Sequence, residues 1–388
     1  MENYTLIYEE IMEMQLVDHH AHGVSMKDMD IQRMGDMLNE SSSPKLGGAV
    51  AFQKPVGLNI RTYCAPALGL PAHVSIEDYI ARRAELGGAE ASRILMKDCN
   101  LQASLLDTYN RKPSELTDPT EFAAAFNMPT YEVLRIESIF ENIAMTTGDA
   151  STLFVAFTDE MTSLAKNAVG MKSVIAYRTG YAIDNTDPSD SEVSVALDKW
   201  LASREGDKRL RLDDPVLCRR VLWLSSIIAK QYKLPIQFHV GIGDDDVDMP
   251  GNDPAHFSHY FSEMQSMGVN ATLLHCYPHV RSAQWLADIY DNVYYDTGFM
   301  FAFGSKEIER ILRQAFEIGP FHKQLYSSDA FSLAELYQIS AVRFRQFLAT
   351  MLQEWVNDNY CSKQDALNIA GSICSENAIN LYNLGDRG

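Results

Sequence analysis

From residue 170 onward the chain alternates between short apolar runs and longer amphipathic stretches. GMKSVIAYRTG, LPIQFHVG, NATLLHCYP, NVYYDTG and KQLYSSDA read as strands. PVLCRRVLWLSSIIAKQYK, HFSHYFSEMQSMG, VRSAQWLADIY and SKEIERILRQAFEIG read as the helices between them. Strands joined by single helices return in the same direction, so this rhythm demands a parallel sheet with helical crossovers. QLVDHHAH at residues 15–22 adds one strand, and less regular runs near Ala103–Asp107 and in YEVLRIESI add two more. Eight strands are the count of a (β/α)8 TIM barrel. An open doubly wound sheet is the alternative, but it usually carries a Gly-rich turn after its first strand, and none follows QLVDHHAH. The expected fold is a distorted α/β barrel occupying residues 1–388, with a helical insertion over 25–130 after strand 1. A chain of 388 residues also leaves two domains open.

Within the insertion, NESSSPKLGGAV has loop composition, whereas SIEDYIARRAEL and DPTEFAAAF have helical patterns opened by Ser or Asp caps. Residues 4–14 form a further short amphipathic helix by spacing. A net charge of −19 argues against nucleic acid and anionic membrane as partners. No window holds 18 consecutive apolar residues, so no membrane span is expected. Six cysteines lie scattered without a C-x-x-C pair and are expected to be reduced and buried. The first residues lack a basic segment followed by an apolar run, so the expected location is the cytoplasm.

Three of the ten histidines fall within DHHAH. On a strand Asp18, His20 and His22 share one face, with His19 and Ala21 opposite. Imidazoles at i and i+2, roughly 6–7 Å apart along the strand, can converge on one ion. They can equally be two polar residues bonded to backbone or water. His239 in IQFHVG, His275 in TLLHCYP and Asp329 in YSSDA also end apolar strands. That is the face on which barrels of this kind build active sites. Separate burial of each group would demand a separate partner, whereas one shared cation satisfies them together. Ligand sets of His and carboxylate suit Zn²⁺, with Mn²⁺ or Fe²⁺ as alternatives.

In order and spacing, His20 and His22, His239, His275 and Asp329 resemble the ligand set of the amidohydrolase superfamily of metal-dependent hydrolases. VDHHAH, KSVIAYRTG, LPIQFHVGIGD, YSSDAF and the C-terminal SENAINLYNL are most similar to its amidohydrolase-related branch, which includes the amidohydrolase half of FluG-type fusions. The resemblance implies a barrel binding one or two divalent ions. It also implies that Lys172, a lysine in an apolar strand, is carboxylated and bridges two metals; pairing with a carboxylate is the other reading.

The same resemblance implies hydrolysis of a C–N or ester bond in a small metabolite, with carboxylate-bearing compounds as candidates. Asp329 would move the proton, and His275 would polarise the substrate, or His239 where a single metal binds. Decarboxylases and uronate isomerases share this framework, so a non-hydrolytic reaction is the alternative. Arg178, Arg135 and Glu137 are candidate substrate contacts, and Tyr277 and His279 candidate pocket residues. A structural ion pair is the competing role for Arg178. Residues 241–254, rich in Gly and Asp, are expected to lie over the site mouth, and His256 and His259 on a helix surface. A homodimer is a candidate assembly.

Overall fold

The computed structural model describes residues 4–41, 47–108, 115–146, 150–203, 206, 208 and 210–386. Part of the NESSSPKLGGAV run, residues 42–46, lies outside them. Among the described residues seven strands follow one another in the order of the chain: β1 (Leu16–Ala21), β2 (Leu101–Asp107), β3 (Thr130–Arg135), β4 (Gly170–Ser173), β5 (Ile236–Val240), β6 (Ala271–His275) and β7 (Val293–Tyr295). β1 pairs with β2 in parallel, and β3 to β7 pair in parallel in turn. Parallel strands in chain order with helical crossovers are the barrel topology expected from the sequence.

Internal contacts divide the chain into two compact units. The first comprises Met1–Tyr131, Asp296–Asn380 and Gly385–Gly388. It holds β1, β2 and the segment expected as the eighth strand. That segment carries no regular strand. It still exchanges backbone hydrogen bonds with β1 and the residues after it: the His19 amide donates to the Tyr326 carbonyl at 3.3 Å, Asp329 to His20 at 3.0 Å, His22 to Ala330 at 2.8 Å and Ser332 to Gly23 at 3.0 Å. Asp329 and Ser332 have φ of 48° and 63°, which interrupts the pleat and explains the lost regularity.

Residues 25–130 contain the strand expected near Ala103–Asp107, here β2. β2 lies inside that range, so the helical excursion between β1 and β2 covers residues 22–100, and DPTEFAAAF forms the helix Pro119–Phe126 after β2. Its Asp118 cap accepts from the Glu121 amide and Glu121 reaches back to the Asp118 amide, as the sequence pattern anticipates. A 24-residue helix, Ala334–Asn357, is the central element of this unit. Its buried Arg345 donates to the carbonyls of Met14 (2.9 Å), Cys99 (2.7 Å) and Asn100 (3.1 Å), tying together the approaches to β1 and β2.

The second unit comprises Glu132–Tyr295 and Leu381–Leu384. Its helices Pro215–Tyr232, Ser258–Met267 and Val280–Ile289 precede β5, β6 and β7 as expected. β4 is shorter than GMKSVIAYRTG predicts. The Glu137 carboxylate accepts from the Ser173 hydroxyl at 2.6 Å and the Val174 amide at 3.0 Å, ending the ladder, and a 3₁₀ turn follows at Ile175–Tyr177. Likewise YEVLRIESI splits into β3 and the helix Ile136–Thr146. All six cysteines are free thiols, five buried and Cys361 half-buried. Among the described residues no helix is long and apolar enough to cross a membrane.

Arg345→Ala removes three hydrogen bonds from a buried cation to the carbonyls of Met14, Cys99 and Asn100, the last of which keeps the Leu16 amide at 3.2 Å. The expected loss is about 2–4 kcal/mol, read as a lower urea midpoint. A midpoint equal to wild type would contradict this role.

Candidate metal centre and flanking site

In the first unit the end of β1 gathers the polar groups. The Asp18 carboxylate accepts from the Ser328 amide at 2.9 Å and the Ser328 hydroxyl at 2.5 Å. Burial pushes its carboxyl up to about 7, against the lowering effect of those hydrogen bonds. His19, on the opposite face, pairs through Nε2 with Asp296 at 2.7 Å, both fully buried. His20 and His22 turn toward Asp329 instead: their Nε2 atoms lie 3.2 and 3.5 Å from the same Oδ1. The two rings meet edge to face with centroids 5.2 Å apart.

These distances separate two kinds of contact. The 2.7 Å His19–Asp296 pair is a direct charge-assisted hydrogen bond. The longer pair of distances to Asp329 is not optimal for such bonds. Donors held about 2.0–2.1 Å from a tetrahedral ion lie about 3.3–3.4 Å from one another, which matches. His22 Nδ1 is engaged with the Asp107 carbonyl at 2.9 Å, so that nitrogen carries the proton and Nε2 keeps its lone pair toward Asp329. The donor set therefore fits a divalent cation. His20, His22 and the Asp107 carboxylate also form a group whose ligand atoms all lie within 4.8 Å of one another.

In the second unit His239 ends β5 and His275 ends β6, both buried, with ring centroids 4.9 Å apart. His275 has φ of 68°, an unfavourable backbone state that tends to persist at functional positions. Tyr177 lies against the His239 ring at 4.3 Å, and the Tyr181 hydroxyl donates to the His239 carbonyl at 2.5 Å. Lys172 is buried on β4, in register with Arg135 of β3 and Gln237 of β5. Arg178 pairs with the buried Glu141 at 3.1 Å. Burial raises the Glu137 carboxyl, opposed by Ser173 and by the Arg178 charge. Tyr277 is half-buried, and its carbonyl accepts from the Ile242 amide at 2.7 Å. The 241–254 loop is pinned at several points: Asn252 donates to the Gly241 carbonyl at 2.8 Å, and His279 Nε2 reaches the Met249 carbonyl at 3.0 Å. Asp246 in that loop forms an ion pair with Arg211. His256 and His259 are exposed, as expected.

Over 249 residues the chain is 31% identical to protein FluG of Emericella nidulans, a match covering 61% of this chain and 29% of that protein. The chain thus spans under a third of the length of this curated relative. Its fold matches the crystal structure of a proposed metal-dependent hydrolase from Lactobacillus casei ATCC 334 with a TM-score of 0.84. That match has 23% identity and covers 98% of both chains. The barrel is also shared with a uronate isomerase from Bacillus halodurans C-125, at a TM-score of 0.68 and 12% identity over 98% of this chain and 96% of that one. No protein-family model matches the chain.

Beside these residues stand groups that their sequence context marks weakly or not at all. Asp107 ends the apolar run LQASLLD much as Asp329 ends its own segment, and that placement was a usable signal. Asp296 lies 277 positions from its partner His19, and nothing local marks it.

Asp18 gives a pH dependence. Its folded value lies above the ordinary carboxylate range, so folding favours the protonated form. Its contribution to stability is present below about pH 4 and is lost as pH rises through about 7. Chelated protein should be less resistant to urea at pH 8 than at pH 5.5, and Asp18→Asn should flatten that difference. An equal pH dependence in wild type and variant would show that Asp18 is not responsible.

Proposed function

We propose that this protein is a metal-dependent hydrolase that cleaves a C–N or ester bond of a small metabolite. The observation that carries this reading is the spacing of His20 and His22 about one oxygen of Asp329, at 3.2 and 3.5 Å. Zinc is the proposed ion, as one or two equivalents, with manganese and iron as the alternatives. Following the amidohydrolase resemblance, His239, His275 and a carboxylated Lys172 complete the ligand set. A bound ion of this class supplies Lewis acidity and brings the pKa of a water toward neutrality. Asp329 accepts the proton of the attacking water and returns it to the leaving group. His275 orients and polarises the substrate carbonyl. Arg135, Arg178 and Tyr277 are the proposed substrate contacts, with a substrate carboxylate matched to the arginines. For Arg178 that role uses donors not engaged by Glu141. The proposed setting is cytoplasmic, with a small-molecule substrate, a homodimer as the assembly, and neither nucleic acid nor membrane as partner.

Uronate isomerases share the fold, so the barrel alone does not select the reaction. Product analysis does. Hydrolysis consumes water and yields two fragments, isomerisation leaves the mass unchanged, and decarboxylation releases CO₂.

Protein purified without chelator should carry a stoichiometric divalent metal and hydrolyse members of an amide and lactone panel. His20→Ala and Asp329→Asn should each lower metal content and reduce turnover by roughly a hundredfold or more, with the circular dichroism spectrum unchanged. Full metal content and turnover in both variants would sink the reading.

A further inference from the structure

We propose that Asp107 contributes its carboxylate as a further ligand to the ion held by His20 and His22. This goes beyond the ligands implied by the resemblance, which come from strands 1, 4, 5, 6 and 8. It rests on the reading of the β1 histidines as a metal centre.

β1 pairs with β2 through Asp18–Ser104 and Ala21–Leu106, with a register shift between them. Three steps along β1 are matched by two along β2, so β1 carries an extra residue there. Such bulges occur beside active sites, where they re-aim side chains. The register that follows brings His22 alongside Asp107. The consequence is seen in the side chains: His22 Nδ1 donates to the Asp107 carbonyl at 2.9 Å. An oxygen of the same residue's carboxylate lies within 4.8 Å of one ring nitrogen of His20 and one of His22. Asp107 is thus connected to the histidines twice, once through its backbone and once through its side chain.

Burial supplies the energetic reason. Asp107 is 1% exposed and ends a strand whose last five residues are all buried. At such depth a cation and a carboxylate stabilise one another strongly. A divalent cation on two neutral imidazoles and one carboxylate keeps one uncancelled positive charge. A second carboxylate in the same unit cancels it. A harder, more negative ligand set also favours ions that accept oxygen donors, such as Mn²⁺ or Zn²⁺, over ions that select sulfur.

The test uses Co²⁺ added to the chelated full-length protein, with the visible ligand-field spectrum and the dissociation constant as readouts. Asp107→Asn keeps the backbone carbonyl that holds His22 and removes only the carboxylate charge. It should weaken Co²⁺ binding roughly 10–100-fold and shift the spectrum. Asp107→Glu, which restores a carboxylate, should recover part of the affinity. Circular dichroism confirms folding of each variant, and Asp107→Ser replaces Asp107→Asn should the latter fail to fold. Unchanged affinity and spectrum in the charge-neutral variant would overturn the proposal. So would weakened affinity with an unchanged spectrum, since Asp107 would then only orient His22. His20→Ala separates the two levels. If wild type binds Co²⁺ and His20→Ala does not, the metal centre stands, and the Asp107 variants decide whether Asp107 is a further donor to it. If wild type binds no Co²⁺, or His20→Ala binds as tightly as wild type, both the centre and the role of Asp107 fall.

Discussion

The placement of the candidate centre depends on backbone hydrogen bonding between β1 and the segment 326–332. The amide of Asp329 donates to the carbonyl of His20, and the amide of His22 donates to the carbonyl of Ala330. Those two bonds bracket the residues whose side chains converge. They fix Asp329 opposite His20 and His22 without any help from the side chains themselves. Asp18 adds a lock one turn of the pleat earlier, through both hydrogen-bonding groups of Ser328. The Tyr337 hydroxyl adds another by donating to the His22 carbonyl at 2.5 Å. A positive φ at Asp329 is the local cost of aiming its carboxylate back at the histidines.

Electrostatics points the same way as geometry. Asp18, Asp107 and Asp296 are buried within the first unit, and Asp329 is only partly exposed. His19 answers Asp296, and Ser328 answers Asp18. Asp107 and Asp329 lie beside His20 and His22. A dication among these groups would offset their charge. The second unit presents a related surface, with His239 and His275 at successive strand ends and Lys172 buried on β4. In amidohydrolase-like barrels the strand ends are where chemistry is placed, because loops there vary while the sheet holds them in position.

Much of this arrangement was legible in the sequence, for physical reasons that differ by element. β5 and β6 are apolar runs of five residues between well-formed helices, so their periodicity left little choice. DHHAH was readable because alternation on a strand forces His20 and His22 to one side. Other features resist such reading because their causes are not local. β4 stops early on account of Glu137, which lies 36 positions away from the hydroxyl it engages. The segment before Asp329 loses strand regularity through positive φ values at Asp329 and Ser332, residue types that do not announce that conformation. The helix Ala334–Asn357 buries Glu335, Gln338, Arg343 and Arg345 along with its apolar residues, which blurs the amphipathic signal of a surface helix. Asp107 escaped notice because a single aspartate at a strand end acquires meaning only through its register with β1.

The central claim is that His20, His22 and Asp329 hold a divalent ion. The most direct measurement is an anomalous difference map at the zinc edge from crystals of zinc-loaded protein. The account predicts a peak about 2.0–2.2 Å from Nε2 of His20, Nε2 of His22 and a carboxylate oxygen of Asp329. A fully loaded crystal with no peak among these three residues, or with His20 and His22 hydrogen-bonded directly to Asp329 in its place, would contradict it.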